Sequence, residues 1–102
     1  MSEQEQIKEQ LRHAIEENPV GDFIRRASLF GSYATGTPRA DSDVDVLVEL
    51  EPSEPVGFFK FVELQRYLAD YIGKPADLST PDSLSKYFRD EVLQSAQLVY
   101  EK

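Results

Sequence analysis

Residues 29–50, LFGSYATGTPRADSDVDVLVEL, decide how this chain reads. A short apolar run at 27–30 predicts a buried strand. It delivers the chain to Gly31-Ser32, where the missing Cβ of Gly31 lets a phosphate approach the backbone closely. Further on, Asp43-Val44-Asp45 opens a second strand over 43–50, the best in the chain because it is β-branched and alternating. Side chains alternate faces in a strand, so Asp43 and Asp45 share one face while Val44, Val46, Val48 and Leu50 share the other. One face is core and the other carries the chemistry.

Working outward, Ile7, Leu11 and Ile15 recur among Glu, Gln and Lys and predict a helix over 2–18 that Asn18-Pro19 ends. Residues 20–26 read as a turn carrying Phe23 and Ile24 into the core. Residues 31–35 predict a brief helix with Ser32 near its start, broken by Gly36-Thr37-Pro38. The prolines of EPSEP at 51–55 make a loop. A helix over 58–72 carries Phe61, Leu64, Leu68 and Tyr71 on one stripe and closes at Gly73 as a left-handed cap. Residues 76–79 predict a third strand with Asp77 and Ser79 on one face. Thr80-Pro81 starts a last helix over about 82–94, with Leu84, Phe88 and Val92 on one face. Residues 98–100 either continue it or form an extended end. This interleaving predicts one α/β (α+β) domain over residues 1–102, a small mixed sheet with helices on one face and the other face open at the carboxylates.

The composition narrows the function classes. Nineteen Asp and Glu against eleven Lys and Arg give a net charge of -8, which argues against direct DNA binding, where basic surface meets the phosphate backbone. Cysteine is absent, which excludes disulfides and thiolate metal sites and fits a reducing cytoplasm. The opening MSEQEQIKEQ is unlike a secretory signal, and no apolar run predicts a membrane span. His13 is the sole histidine, so a histidine metal cluster is ruled out and a helix-flank role is expected for it. Phe58, Phe59 and Tyr87 are open between a partner surface and the core.

Two other phosphate and metal motifs fail on inspection. Gly31 to Gly36 has P-loop glycine spacing, but Thr37-Pro38 stands where Lys and Ser/Thr are required. Asp41, Asp43 and Asp45 match half an EF-hand loop, but Val46 replaces its glycine and Pro52 its final Glu. Taken alone, the three aspartates read as turn and solvated edge residues. Beside a Gly-Ser bend they suit Mg²⁺ instead, which takes a few carboxylates together with phosphate oxygens.

Gly31-Ser32-Tyr33-Ala34-Thr35-Gly36 followed by Ser42-Asp43-Val44-Asp45 resembles the signature of the minimal nucleotidyltransferases (MNT, MntA-like), within the DNA polymerase beta nucleotidyltransferase superfamily. The likeness runs on through the predicted helix to Gly73, Lys74 and Asp77-Leu78. It implies the polymerase beta-like fold, with Gly31 and Ser32 holding nucleotide phosphates and Asp43, Asp45 and Asp77 binding two Mg²⁺ ions. Asp77 would also help deprotonate the attacking hydroxyl; Asp70 and Asp82 are weaker candidates for that place. The implied reaction moves AMP from ATP to a protein, a HEPT-domain toxin partner, with this chain as antitoxin. One departure stands out: relatives commonly carry Arg where Thr35 lies, and Arg39, Arg25 or Lys74 are the cations available to compensate. An alternative follows, an antitoxin that works by binding its HEPT-type partner with a weak or inactive site.

Overall fold

A computed structural model describes residues 2–17, 23–36, 43–51, 57–87 and 89–102. The elements are α1 Glu3–Glu17, β1 Ile24–Phe30, α2 Ser32–Thr35, β2 Val44–Leu50, α3 Phe58–Ile72 and β3 Ala76–Ser79, then a 3-10 turn at Pro81–Ser83, α4 Arg89–Ser95 and β4 Gln97–Glu101. The expected helix stop at Asn18-Pro19, the break at Thr37-Pro38, the prolines at 52 and 55, and Phe88 lie outside the described residues. Among the described residues no helix is long and apolar enough to cross a membrane.

The four strands form one mixed sheet in the order β3-β2-β1-β4. β1 runs antiparallel to both β2 and β4, whereas β2 and β3 are parallel. A parallel pair needs a long crossover, and α3 supplies it. Ile7, Leu11, Ala14 and Ile15 of α1 and Leu64, Leu68 and Ile72 of α3 share one core with Val44, Val46, Val48, Ala27, Leu29 and Leu78 of the sheet. The helices α1 and α3 therefore form a layer on the sheet face opposite Asp45, as the alternation in β2 predicts. On α3 the innermost row is 64, 68, 72: Ile72 is buried, while Tyr71, expected on the stripe, is 40% exposed. Gly73 closes α3 at φ +71, its N–H donating to the Ala69 carbonyl at 2.9 Å.

Two expectations need correcting. β1 begins at Ile24, not Ala27, because a bulge hides the start of the strand. Ile24 pairs with Leu50 and Arg26 with Glu49, so Arg25 is the extra residue, and Ile24 reaches the core face alongside Ala27 and Leu29. Strict alternation cannot be followed through such a site. The last helix is split: Ser83 accepts from the Thr80 N–H at 3.1 Å and donates to the Thr80 carbonyl at 2.8 Å, closing a local turn. Leu84 then turns extended, and α4 starts only at Arg89. Of the two alternatives at residues 98–100, the chain takes the extended one, as a fourth strand at the sheet edge.

The second sheet face is partly covered. Ser28 and Leu47 on it are buried, and they line a hollow of about 290 Å³ together with Leu93 of α4 and Ala96. Phe58, Phe59 and Tyr87 are all well exposed, which settles their open alternative against the core, and the first two rings meet edge to face at 5.9 Å.

Candidate active site

The site is assembled by strand register. Asp45 lies directly across from Phe30 in β1 and from Asp77 in β3. Gly31 follows Phe30, so the bend leaving β1 is carried beside the first carboxylate of β2. Gly31 sits at φ +75, ψ −152, a conformation L side chains rarely adopt. A Cβ built on it would overlap Oδ2 of Asp45 and lie 3.1 Å from its Cγ. Glycine is therefore required at this position twice over, by backbone conformation and by contact.

Past the bend, α2 is a single turn. The Ala34 N–H donates to the Gly31 carbonyl at 3.1 Å, and Gly36, left-handed at φ +78, returns its N–H to the Ser32 carbonyl. Tyr33 points inward and is 1% exposed, so the residue after Gly-Ser anchors the turn in the core rather than offering its ring to a ligand. On the other side, the Val44 N–H donates to the Pro75 carbonyl at 2.9 Å. This ties the start of β2, with Asp43 just ahead of it, to the entry of β3.

The structure thus brings Gly31, Asp45 and Asp77 to one end of the sheet, with Asp43 beside them. Asp45 is half-buried, while Asp43 and Asp77 are exposed. Burial, and then the charges of Asp77 and Asp43, push the Asp45 carboxyl above the ordinary carboxylate range. Perturbation of this kind by desolvation and like charges gathers at functional sites. The donors are all oxygens, which suits Mg²⁺. Among the described residues no three acidic or histidine side chains are already drawn together as a closed metal cage. Mg²⁺ characteristically keeps water and substrate oxygens in its shell, so an open acidic set fits it better than a cage.

The other candidates fall elsewhere. Asp70 is exposed on α3, in the helical layer, and Asp82 is exposed in the 3-10 turn. Arg25 is at the far end of β1 from Gly31, about 17–20 Å of extended chain away. The Lys74 ammonium is 4.0 Å from Glu3 of α1. Arg39 lies outside the described residues.

Sequence reasoning missed the residues that hold the bend from behind. The Gln4 amide donates to the carbonyls of Tyr33 at 2.7 Å and Ala34 at 3.0 Å, and the Gln97 amide donates to Ala34 at 2.9 Å. Neither glutamine falls in a local motif with the bend. No spacing signal could have found them.

A glycine bend set against a carboxylate, with a second carboxylate one strand away on a mixed sheet, defines a nucleotidyltransferase domain. The family model described as "Nucleotidyltransferase domain" matches residues 6–99, and the chain belongs to that family of enzymes. It is 39% identical over 77 residues to the protein adenylyltransferase MntA of Thermococcus cleftensis, an overlap spanning 76% of this chain and 74% of the relative. Among solved structures, a toxin-antitoxin crystal structure with AMP-PNP superposes with a TM-score of 0.69 at 24% identity, covering 99% of this chain and 75% of that one. A complex of the tri-AMPylated Shewanella oneidensis HEPN toxin with MNT antitoxin gives 0.67 at 19%, covering 97% and 73%. The two superpositions show the shared fold, and the mixed α/β architecture expected from the sequence is the one found.

Proposed function

We propose that this chain is a protein adenylyltransferase that moves AMP from ATP, with Mg²⁺, to a hydroxyl of a HEPT/HEPN-type toxin partner, and so acts as its antitoxin. The observation that carries the reading is the seating of Gly31 against Asp45, one strand from Asp77. The adenylyl donor and the protein acceptor are supported by the MntA relative, and the partner class by the toxin-antitoxin complexes that share the fold.

The chain's own residues divide the work. Gly31 and Ser32 hold the nucleotide phosphates along the bend, where no side chain at 31 intrudes. Asp43, Asp45 and Asp77 hold Mg²⁺, which when bound neutralises phosphate charge and polarises the α-phosphate. Asp77, exposed at the end of the set, takes the proton from the acceptor tyrosine hydroxyl as its oxygen bonds to the α-phosphorus. The bond from that phosphorus to the bridging oxygen breaks, and pyrophosphate leaves with the electron pair. Positioning and charge stabilisation account for most of such catalysis.

A second reading has its own observation. Thr35 stands where the family resemblance implies an arginine, Arg25 is a strand's length away, and Lys74 faces Glu3. A site short of cations among the described residues favours an antitoxin that neutralises by binding alone. Labelled ATP, Mg²⁺ and a HEPT/HEPN-type toxin, with the wild-type chain beside Asp43→Ala/Asp45→Ala, separate the two. Label on the toxin with wild type only is the expected result. Equal neutralisation by both proteins, without label, overturns the transferase reading.

A further inference from the structure

We infer that Gln4 and Gln97 are positioning residues for the nucleotide-holding bend, which they hold against Asp45 through the backbone carbonyls of Tyr33 and Ala34. The inference rests on reading Gly31 and Ser32 as that bend.

A one-turn helix cannot hold its own place. Helix nucleation is unfavourable, and the carbonyls at a helix's C-terminal end have no partner within it. In α2 these are the carbonyls of Tyr33 and Ala34, and side-chain amides from both ends of the chain meet them. Gln4, in the first turn of α1, donates to both, at 2.7 and 3.0 Å. Gln97, the first residue of β4, donates to Ala34 at 2.9 Å. Ala34 thus accepts two amides, one for each lone pair of its oxygen.

The direction of the Gln97 amide is itself fixed. Its Oε1 accepts from the Lys8 ammonium at 3.1 Å, so the NH₂ end must face Ala34. All these contacts are partly buried, where a hydrogen bond is stronger than at an open surface. Tyr33 is packed in the core. The bend is consequently clamped from behind by α1 and β4, while its other side meets the Asp45 carboxylate. Within such a clamp, small displacements of the Gly31 backbone change the distance between phosphate and carboxylate. A misplacement of about 1 Å is enough to cost a hundredfold in rate.

The test is a Gln4→Glu/Gln97→Glu double variant, which keeps side-chain volume but at pH 7.5 removes all three donations. Two readouts apply to the isolated full chain: amide hydrogen exchange along residues 31–36, and the dissociation constant of Mg²⁺–AMP-PNP. Exchange at 33–36 should quicken at least tenfold relative to Val46 and Leu68, and nucleotide binding should weaken at least fivefold. Lys8→Met, which frees the Gln97 amide to turn, should give a smaller change in the same direction. A lower melting temperature with an unchanged dissociation constant would make the glutamines merely structural and overturn the inference, as would unchanged exchange. Wild type that binds the nucleotide but labels no toxin would fail the transferase reading and leave this result standing on its own.

Discussion

Gly31 and Asp45 compete for the same space: the position a β-carbon would take on Gly31 is already filled by the Asp45 carboxylate. The bend and the acidic strand therefore fit together only because residue 31 has no side chain, and the φ of +75 makes the same demand. In Gly31→Ala either the carboxylate swings away or the bend retreats, on top of backbone strain of about 1–3 kcal/mol. Urea unfolding should register that loss, and AMP transfer should fall at least a hundredfold, since both partners of the site move.

Asp45 should make the protein more stable when it is neutral. Its folded carboxyl holds its proton to higher pH than the unfolded one, because of burial and the charges of Asp77 and Asp43. The folded state then binds more protons, so stability falls as pH rises from the ordinary carboxylate range through the raised folded value. At pH 7 without divalent cations, Asp45→Asn should melt above wild type, and the gap should vanish at a pH below the ordinary carboxylate range. Millimolar Mg²⁺ should raise the wild-type melting temperature and leave the variant unchanged; differential scanning fluorimetry across pH reads both.

Asp77 tests the proton-transfer role separately from binding. Its side chain is exposed at the start of β3, so Asp77→Asn should leave the fold intact. Loss of a general base costs about 10²–10⁴-fold. Single-turnover label transfer should drop into that range while AMP-PNP binding changes much less. Equal losses in binding and rate would move Asp77 to a purely metal-holding role.

Stability should follow the helix layer. Leu68 is fully buried between α3 and the sheet, and Leu68→Ala should cost about 2–5 kcal/mol. Phe59, 82% exposed one turn before the core stripe, should cost within about 0.5 kcal/mol when cut to Ala. Urea midpoints of the two variants provide the comparison.

Much of this architecture was legible in the chain. β2 was readable because Val44, Val46 and Val48 recur at every second position, with Leu47 the one apolar residue between Asp45 and Glu49 on the other face, and α3 because its apolar stripe ends at a glycine in the left-handed region. Ile24 was not readable as a strand residue, since the bulge at Arg25 shifts the alternation by one and the partner that reveals it, Leu50, comes much later in the chain. β4 was ambiguous for a related reason: a bulge at Val99 breaks its period, and an edge strand gains its identity from pairing with β1. The split of the last helix turned on one hydroxyl, that of Ser83, bonding back to Thr80.

The sequence by itself determined the Gly-Ser bend, Asp45 on the face of β2 away from its valines with Asp43 just ahead of the strand, the third aspartate on β3, and hence the family, because each depends on local spacing and on the two-residue period of a strand. Only the tertiary structure decided that Asp77 lies in register beside Asp45, that Gly31 has no room for a side chain, and that Gln4 and Gln97 hold the bend from behind. Strand order and long-range amide contacts join residues far apart along the chain, and no local pattern of side chains encodes where such pairs meet.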